Sequence, residues 1–581
     1  MSVTAGSIVP DLAAPTSFEQ VLQRIRPFSW WQILIYALMS YLQLWSTFYN
    51  LAVVFFAITP DYYCRVPQLA ANGWTKEQIM NVSRIDECQV RDLNYTAIGS
   101  SSYAQLEATN QLDELWATNR SVQCDHGNFV FATDGPMRHT MVSQFSLVCS
   151  EAIYSTHVQM VYMFGFFCGA FAAGICSDLF GRKWTLVLST VLTIVIGGTH
   201  AYVTNWPAMM LLRFAVAFSM IPGWKSAFTM GECFLQLALE ITSSTYRTWV
   251  GGLFWIPYSI SYTMLPLFAW WLRDWRLVHV AAAVPLVPLV LVLVLFYPES
   301  PRWLLAKGRS DAAKVVLKRA AKLNGRPLPE EYHLDKVVEE QKREEEASET
   351  IFALFKRDEH GFVYPTLILR ALNLFFNWLV NALVYYGISL NVSKFAGDVF
   401  VNNALAGLVE IPAYVLSVPL LYAGRRWALS GTLALAGVSL LIVPWIPEAT
   451  LSGLRLTFAM VGKFAITASF GVVYVITTEL YPTVVRTSGL ATSSCIGRIG
   501  SMTAPYIADI DKLFGRDKAY LSLVIFGILS IAAGLLALFL PETKGRKLPE
   551  YLDEAVELQM ETEIRNKKPT DRVEQSVRPK F

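Results

Sequence analysis

Twelve apolar runs constrain this chain more than any other feature. They lie near 31–58, 153–176, 184–203, 207–239, 249–272, 275–297, 364–390, 399–424, 427–447, 454–478, 488–510 and 519–540. Crossing a bilayer takes roughly 20 apolar residues of helix, and these runs reach that length. Only 16% of the 581 residues are charged, against about 25% in soluble domains. The expected class is therefore an all-α polytopic membrane protein with lipid around it. A net charge of +2 gives no reason to expect nucleic acid as a partner.

Basic residues set the expected orientation. Arg182-Lys183, Arg247, the segment after Pro298, Arg425-Arg426, Arg486 and Lys544/Arg546/Lys547 fall on one side of the runs, which places that side in the cytoplasm. An even number of spans puts both termini there. The opposite turn with Lys512, Arg516 and Lys518 is offset by Asp509, Asp511 and Asp517. Residues 1–27 are polar and mixed, so the first run is expected to be a retained span rather than a cleaved signal. The expected organisation is a cytoplasmic N-terminus (1–30), a six-helix half (31–297), a linker of amphipathic helices on the cytoplasmic face (298–363), a second half (364–540) and a cytoplasmic tail (541–581).

Between the first two runs, residues 60–151 form an extracellular segment. It holds Cys64, Cys88, Cys124 and Cys149 and three glycosylation acceptors, Asn81, Asn94 and Asn119. Outside the cell these cysteines are expected to pair. Four of them allow three connectivities, and spacing does not choose. A fourth acceptor, Asn391, sits on a short loop close to the membrane.

The cytoplasmic turns repeat. Gly181-Arg182-Lys183 matches Gly424-Arg425-Arg426, and Pro298-Glu299-Ser300 matches Pro541-Glu542-Thr543, both 243 positions apart (424 − 181 and 541 − 298). Glu240 precedes Arg247 as Glu479 precedes Arg486. Asp178, Arg182, Glu240, Arg247, Glu479 and Arg486 are the expected gating charges, pairing and unpairing as the halves rock; the alternative is fixed surface salt bridges.

The stretch Gly462–Pro505 carries the candidate chemistry, with Lys463 and Arg498 at membrane depth. A charge there faces a cavity or a partner as a rule, since it costs at least about 2.5–3.5 kcal/mol. Helical spacing puts Lys463, Thr467, Phe470 and Tyr474 on one stripe, Trp378, Asn381 and Tyr385 on another, and Asn403, Gly407, Glu410 and Tyr414 on a third. Aromatic faces hold an ammonium group at about 0.5–2 kcal/mol each, Arg498 suits a carboxylate, and Glu410 would offset a positive end. The expected substrate-binding residues are Arg498, Glu410, Lys463, Phe470, Tyr474, Trp378 and Tyr385. Competing readings are packing for the aromatics and mutual neutralisation of Glu410 and Arg498. Arg213 and Arg370, nearer helix ends, are read as snorkelling or structural.

These motifs resemble the organic ion transporter family of the major facilitator superfamily over nearly the whole chain. Thr59–Cys64 (TPDYYC) and Phe145–Cys149 (FSLVC) are similar to that family's entry to and exit from the ectodomain. Gly174–Lys183 (GICSDLFGRK), Pro298–Leu305 (PESPRWLL) and Glu479–Thr483 (ELYPT) with Arg486 resemble its cytoplasmic loops, although Leu179 stands where a basic residue is usual. Glu240–Ser244 (EITSS) with Arg247 is a looser match. Gly397–Asn402 (GDVFVN), Val409–Leu416 (VEIPAYVL), Met460–Phe464 (MVGKF) and Arg498 look most like the carnitine and organic cation branch. The resemblance implies a major facilitator fold of twelve transmembrane helices in two six-helix halves, with a central site between them.

The function expected is transport of small organic cations or zwitterions such as carnitine across the plasma membrane by alternating access. An organic-anion carrier is the alternative, and a membrane receptor without transport is the reading from another class. Metal-ligand spacing, a nucleophile elbow and a Gly-rich phosphate loop are all lacking, so no enzyme and no cofactor is expected. Sodium and protons both remain open as the coupling ion.

Overall fold

The computed structural model describes residues 18–25, 29–109, 111–116, 120–124, 128–226, 255–326, 328, 334–346, 350–355, 365–515, 518–546, 549, 552 and 554. Each apolar run carries a helix. In the first half these are α1 (Trp30–Leu51), continued by a short helix Val53–Phe56, α2 (Ala152–Phe180), α3 (Arg182–His200), α4 (Trp206–Ser226), α5 (Ile256–Leu272) and α6 (Trp275–Phe296). In the second half they are α7 (Pro365–Asn391), α8 (Val399–Ala423), α9 (Arg425–Ile442), α10 (Glu448–Leu480), α11 (Thr483–Ala508) and α12 (Tyr520–Ala537). α6 is interrupted at Val284-Pro285, where the ring removes a backbone donor. Among the described residues, eight of these helices are long and apolar enough to cross a membrane. The rest of the fourth run, with Glu232, lies outside the described residues.

Packing follows the internal repeat. α2 lies against α4 and α11, α5 against α1 and α8, α7 against α11, and α9 against α10 and α12. The two seams between the halves, α2–α11 and α5–α8, are images of one another under the repeat. Small residues let the backbones approach, as is common between membrane helices. A Cβ built on Gly169 would lie 2.8 Å from the Phe218 carbonyl oxygen across the α2–α4 seam. One built on Gly500 would run into the Leu379 carbonyl oxygen of α7. Gly500→Ala is therefore expected to destabilise the fold by about 1–3 kcal/mol, because a carbonyl cannot swing aside as a side chain can. Gly174→Ala, with open space beside it inside α2, should not lower the melting temperature of the purified protein.

The two turns that repeat 243 positions apart have a shared purpose. Gly181 and Gly424 sit at φ +87° and +136°, conformations that glycine tolerates, and start α3 and α9. The orphan N–H groups that follow are capped by a glutamate from the end of each half. Arg182 N donates to Glu299 Oε1 at 2.8 Å, and Arg425 N donates to Glu542 Oε1 at 2.9 Å. A carboxylate there also meets the positive end of the helix dipole.

The ectodomain is small. β1 (Tyr62–Cys64) pairs antiparallel with β4 (Phe129–Phe131), and β2 (Gln89–Arg91) with β3 (Ser121–Gln123). A core of Leu69, Trp74, Ile79, Val82 and Leu106 fills it. Of the three possible connectivities, the structure has Cys64–Cys124 and Cys88–Cys149. The second bridge ties the domain to the turn Cys149–Glu151 that leads into α2. Asn81 and Asn94 are exposed, Asn119 lies outside the described residues, and Asn391 is buried.

Candidate substrate site and gates

Three neutral or charged groups expected on separate stripes meet at the centre of the second half. Glu410 of α8 and Lys463 of α10 are both fully buried, with Lys463 Nζ 2.8 Å from Glu410 Oε1. Tyr385 of α7 donates its hydroxyl to the same oxygen at 2.6 Å, and Ser259 of α5 donates to Oε2 at 3.1 Å. Lys463 also donates to Ser389 Oγ at 2.7 Å and lies 3.5 Å from the centroid of the Tyr385 ring. The pair is thus shielded and hydrogen-bonded, as buried charges must be. Lys463 stands in the middle of α10, not near its end, because the helix begins at Glu448, ahead of the apolar run.

Beside this pair lies an aromatic cluster. Trp378 packs edge-on against Tyr474, with centroids 4.5 Å apart, and Phe470 lies 5.6 Å from Tyr385 and 5.9 Å from Tyr474. Trp378 Nε1 donates to Thr477 Oγ1 at 2.9 Å, which sets its ring. Trp255, which starts α5, stacks on Tyr414 and reaches Tyr474, both at 6.0 Å, so the cluster spans the seam between the halves. Trp378 and Tyr385 are buried, whereas Phe470, Tyr474 and Trp255 are only half-buried.

Arg498 of α11 lies apart from Glu410. Its guanidinium rests on the Phe166 ring of α2 at 4.2 Å, across the other seam. It is half-buried, and among the described residues no carboxylate pairs with it. The neighbouring Gly497 brings α11 against Trp378, with a would-be Cβ 3.3 Å from that ring. α11 thus turns Gly497 toward Trp378 of the aromatic cluster and the Arg498 guanidinium toward α2.

The α5 contribution is not among the residues expected from sequence. Trp255, Tyr258, Ser259 and Tyr262 follow helical spacing, and that stripe is the available signal. Asn50 of α1 joins them, donating to the Tyr258 and Tyr386 hydroxyls at 3.3 and 3.4 Å. Arg213 and Arg370 do not snorkel: both side chains are buried, Arg213 at 1% exposure.

The gating charges expected on the cytoplasmic side pair within their own halves. Arg182 donates to Asp178 at 3.1 Å, and Arg425 holds Glu479 at 3.0 Å. Arg486 donates to the Tyr481 carbonyl at 3.2 Å, and Glu240 and Arg247 lie outside the described residues. On the opposite side a lock does join the halves. Thr156 of α2 donates to Asp509 at 2.7 Å, Lys512 binds Ser155 at 2.8 Å and Asp509 at 2.9 Å, and Lys394 binds Asp509 at 3.0 Å and Asp511 at 2.6 Å. Phe55, at the end of the first span, stacks on Phe400 of α8, 5.5 Å between centroids. The site is closed toward the ectodomain.

A family model described as "Sugar (and other) transporter" matches residues 49–554. The "Organic cation transporter protein" of Drosophila melanogaster is 33% identical over 92% of this chain and 94% of its own. The "Organic cation/carnitine transporter 2" of Homo sapiens is 32% identical over 90% of this chain and 91% of its own. Among solved structures, the partially occluded, inward-open xylose transporter XylE of E. coli aligns at TM-score 0.56, with 15% identity, over 89% of this chain and 99% of that one. That likeness shows the fold. The chain accordingly belongs to the sugar (and other) transporter family of the major facilitator superfamily and, within it, to the organic ion transporters: it is a multi-pass membrane transporter and not an enzyme.

Proposed function

We propose that this chain carries small organic cations or zwitterions, carnitine among them, across the plasma membrane by alternating access. One observation carries the reading: Arg498 has no carboxylate partner among the described residues and rests on Phe166 at the α2–α11 seam, while three rings of the aromatic cluster, Phe470, Tyr474 and Trp255, are only half-buried. A zwitterion's carboxylate would take the guanidinium, and its quaternary ammonium would rest on Phe470, Tyr474 and Trp255. Trp378 and Tyr385 back that surface, while Glu410 and Lys463 hold each other behind it. The names of the relatives, organic cation and organic cation/carnitine transporters, point the same way. Both termini, the linker 298–363 and the tail 541–581 lie in the cytoplasm in this reading, and Asn81, Asn94 and Asn119 carry glycans outside. Asp178, Arg182, Glu240, Arg247, Glu479 and Arg486 form the cytoplasmic gate.

The test is uptake of radiolabelled carnitine and tetraethylammonium into cells expressing the chain, beside Arg498→Ala with surface protein quantified. Losing a charge-assisted pair of about 1.5–3 kcal/mol predicts a roughly 10- to 100-fold fall in carnitine uptake. Tetraethylammonium uptake that ignores the mutation, without carnitine uptake, would assign a cation carrier that does not use Arg498. Uptake of neither, with an organic anion such as para-aminohippurate carried instead, would replace this reading with the anion one.

A further inference from the structure

The second half gives its buried lysine a carboxylate. The first half treats a buried arginine differently. Arg213 of α4 is 1% exposed, and among the described residues no carboxylate lies within ion-pair distance of it. Two rings lie against it: the guanidinium carbon is 4.2 Å from the Tyr162 ring centroid and 5.1 Å from that of Phe56. Most of its N–H donors are unmet. One nitrogen donates to Gln159 Oε1 at 3.3 Å, while Nε and the other terminal nitrogen, both buried, donate to no group among the described residues.

Two imidazoles complete the setting. His200 of α3 and His279 of α6 are buried, with ring centroids 4.5 Å apart, and both lie within electrostatic reach of Arg213. His279 Nδ1 lies 2.8 Å from the Trp275 carbonyl oxygen, which makes it the donor nitrogen. Among the described residues His200 has no partner at either nitrogen, so its obligatory N–H meets no acceptor there. The cluster offers several N–H donors and a full positive charge, with no anion to receive them. Burying an uncompensated charge costs several kcal/mol.

We propose that Arg213, with His200 beside it, forms a binding site for a small monovalent anion between α1, α3, α4 and α6, separate from Arg498. The unmet N–H donors of the guanidinium suit a halide or a carboxylate. Two sources share that chemistry: free chloride, and the carboxylate of a transported molecule. The carboxylate source rests on the transport reading above, whereas the chloride source does not.

The experiment is thermal unfolding of the purified full-length protein, with sodium chloride replaced by sodium isethionate at constant ionic strength. Carnitine or acetate is then added to the chloride-free sample. A ligand that binds only the folded state raises its melting temperature. Chloride is expected to raise the wild-type value saturably, and Arg213→Met is expected to abolish the rise. In isethionate Arg213→Met should melt no lower than the wild type, since it removes an unpaired charge along with the arginine. Should that variant fail to fold, His200→Phe is expected to weaken the chloride effect, raising the half-saturating concentration at least about threefold. A rise with acetate or carnitine but not chloride, lost in Arg213→Met and kept in Arg498→Ala, would assign the site to a carboxylate. Wild-type melting that is the same in all of these solutions overturns the proposal, as does a chloride effect unchanged in both Arg213→Met and His200→Phe. Failure of Arg498→Ala to lower uptake would leave the chloride result standing.

Discussion

Lys463→Met should lower the melting temperature and surface yield of this protein more than any other single change considered. The methionine fills the space, but Glu410 is left charged with no cation, in a place with no exposure at all. Breaking one side of a buried pair costs about 3–5 kcal/mol, because the remaining charge has lost its compensation and water cannot reach it. The Tyr385 and Ser259 hydroxyls still donate to the carboxylate, but neither carries a charge. Glu410→Gln combined with Lys463→Met removes both charges. Most of the folded yield is then expected to return, and the double-mutant cycle reads the coupling directly. Purely additive single effects would show that the two charges do not depend on each other. If the double variant folds and reaches the surface but carries nothing, the pair must break and re-form during the cycle, a role beyond holding α8 to α10.

Asp509→Asn should open the ectodomain side. Asp509 receives Lys394, Lys512 and Thr156 at once, so its charge is the centre of the lock between α2 and the end of α11. Hydrogen bonds to charged groups contribute about 1.5–3 kcal/mol, so the ratio of open to closed protein should rise roughly 10- to 100-fold, at about 1.4 kcal/mol per factor of ten. The readout is labelling of Phe470→Cys by a membrane-impermeant thiol reagent applied from the ectodomain side, with Cys168, Cys176, Cys233 and Cys495 replaced by serine. Equal labelling rates with and without Asp509→Asn would remove the lock from the gating cycle.

The same residue sets a pH expectation. Burial alone would raise the Asp509 carboxyl, but Lys512, Lys394 and the Thr156 hydroxyl outweigh it and hold the group well below the usual carboxylate range. Its value in the closed state is therefore lower than in the open state, where the carboxyl meets water. The lock's contribution is fully present above the ordinary carboxylate pKa of about 3.9, and it fades only as pH falls through the lowered value. Opening is expected to show no titration from Asp509 between pH 5 and 8.

Which residues share a face is legible in the sequence. Tyr385, Glu410, Lys463, Phe470 and Tyr474 each lie on the stripe that spacing assigns them, because helical periodicity is a property of the local chain. The repeat is legible too, and the structure gives its reason: Glu299 and Glu542 cap the helices that begin after Gly181 and Gly424. The partners are not legible. Glu410 could meet Arg498 or Lys463, and only the packing of α8 against α10 chooses the lysine. For Arg213 the sequence leaves snorkelling and a structural role both open, because linear position measures depth along a helix, not which way that helix turns inside a bundle. The charges around Asp509 read as a balanced turn, and only the structure shows that two of their hydrogen bonds reach across to α2. Twelve helices, their order and their polar faces follow from the sequence alone, since lipid and backbone hydrogen bonding act on each segment separately. Disulfide pairing, the ion pair at the centre and the lock toward the ectodomain are decided only by the tertiary structure, because each joins groups that no local rule brings together.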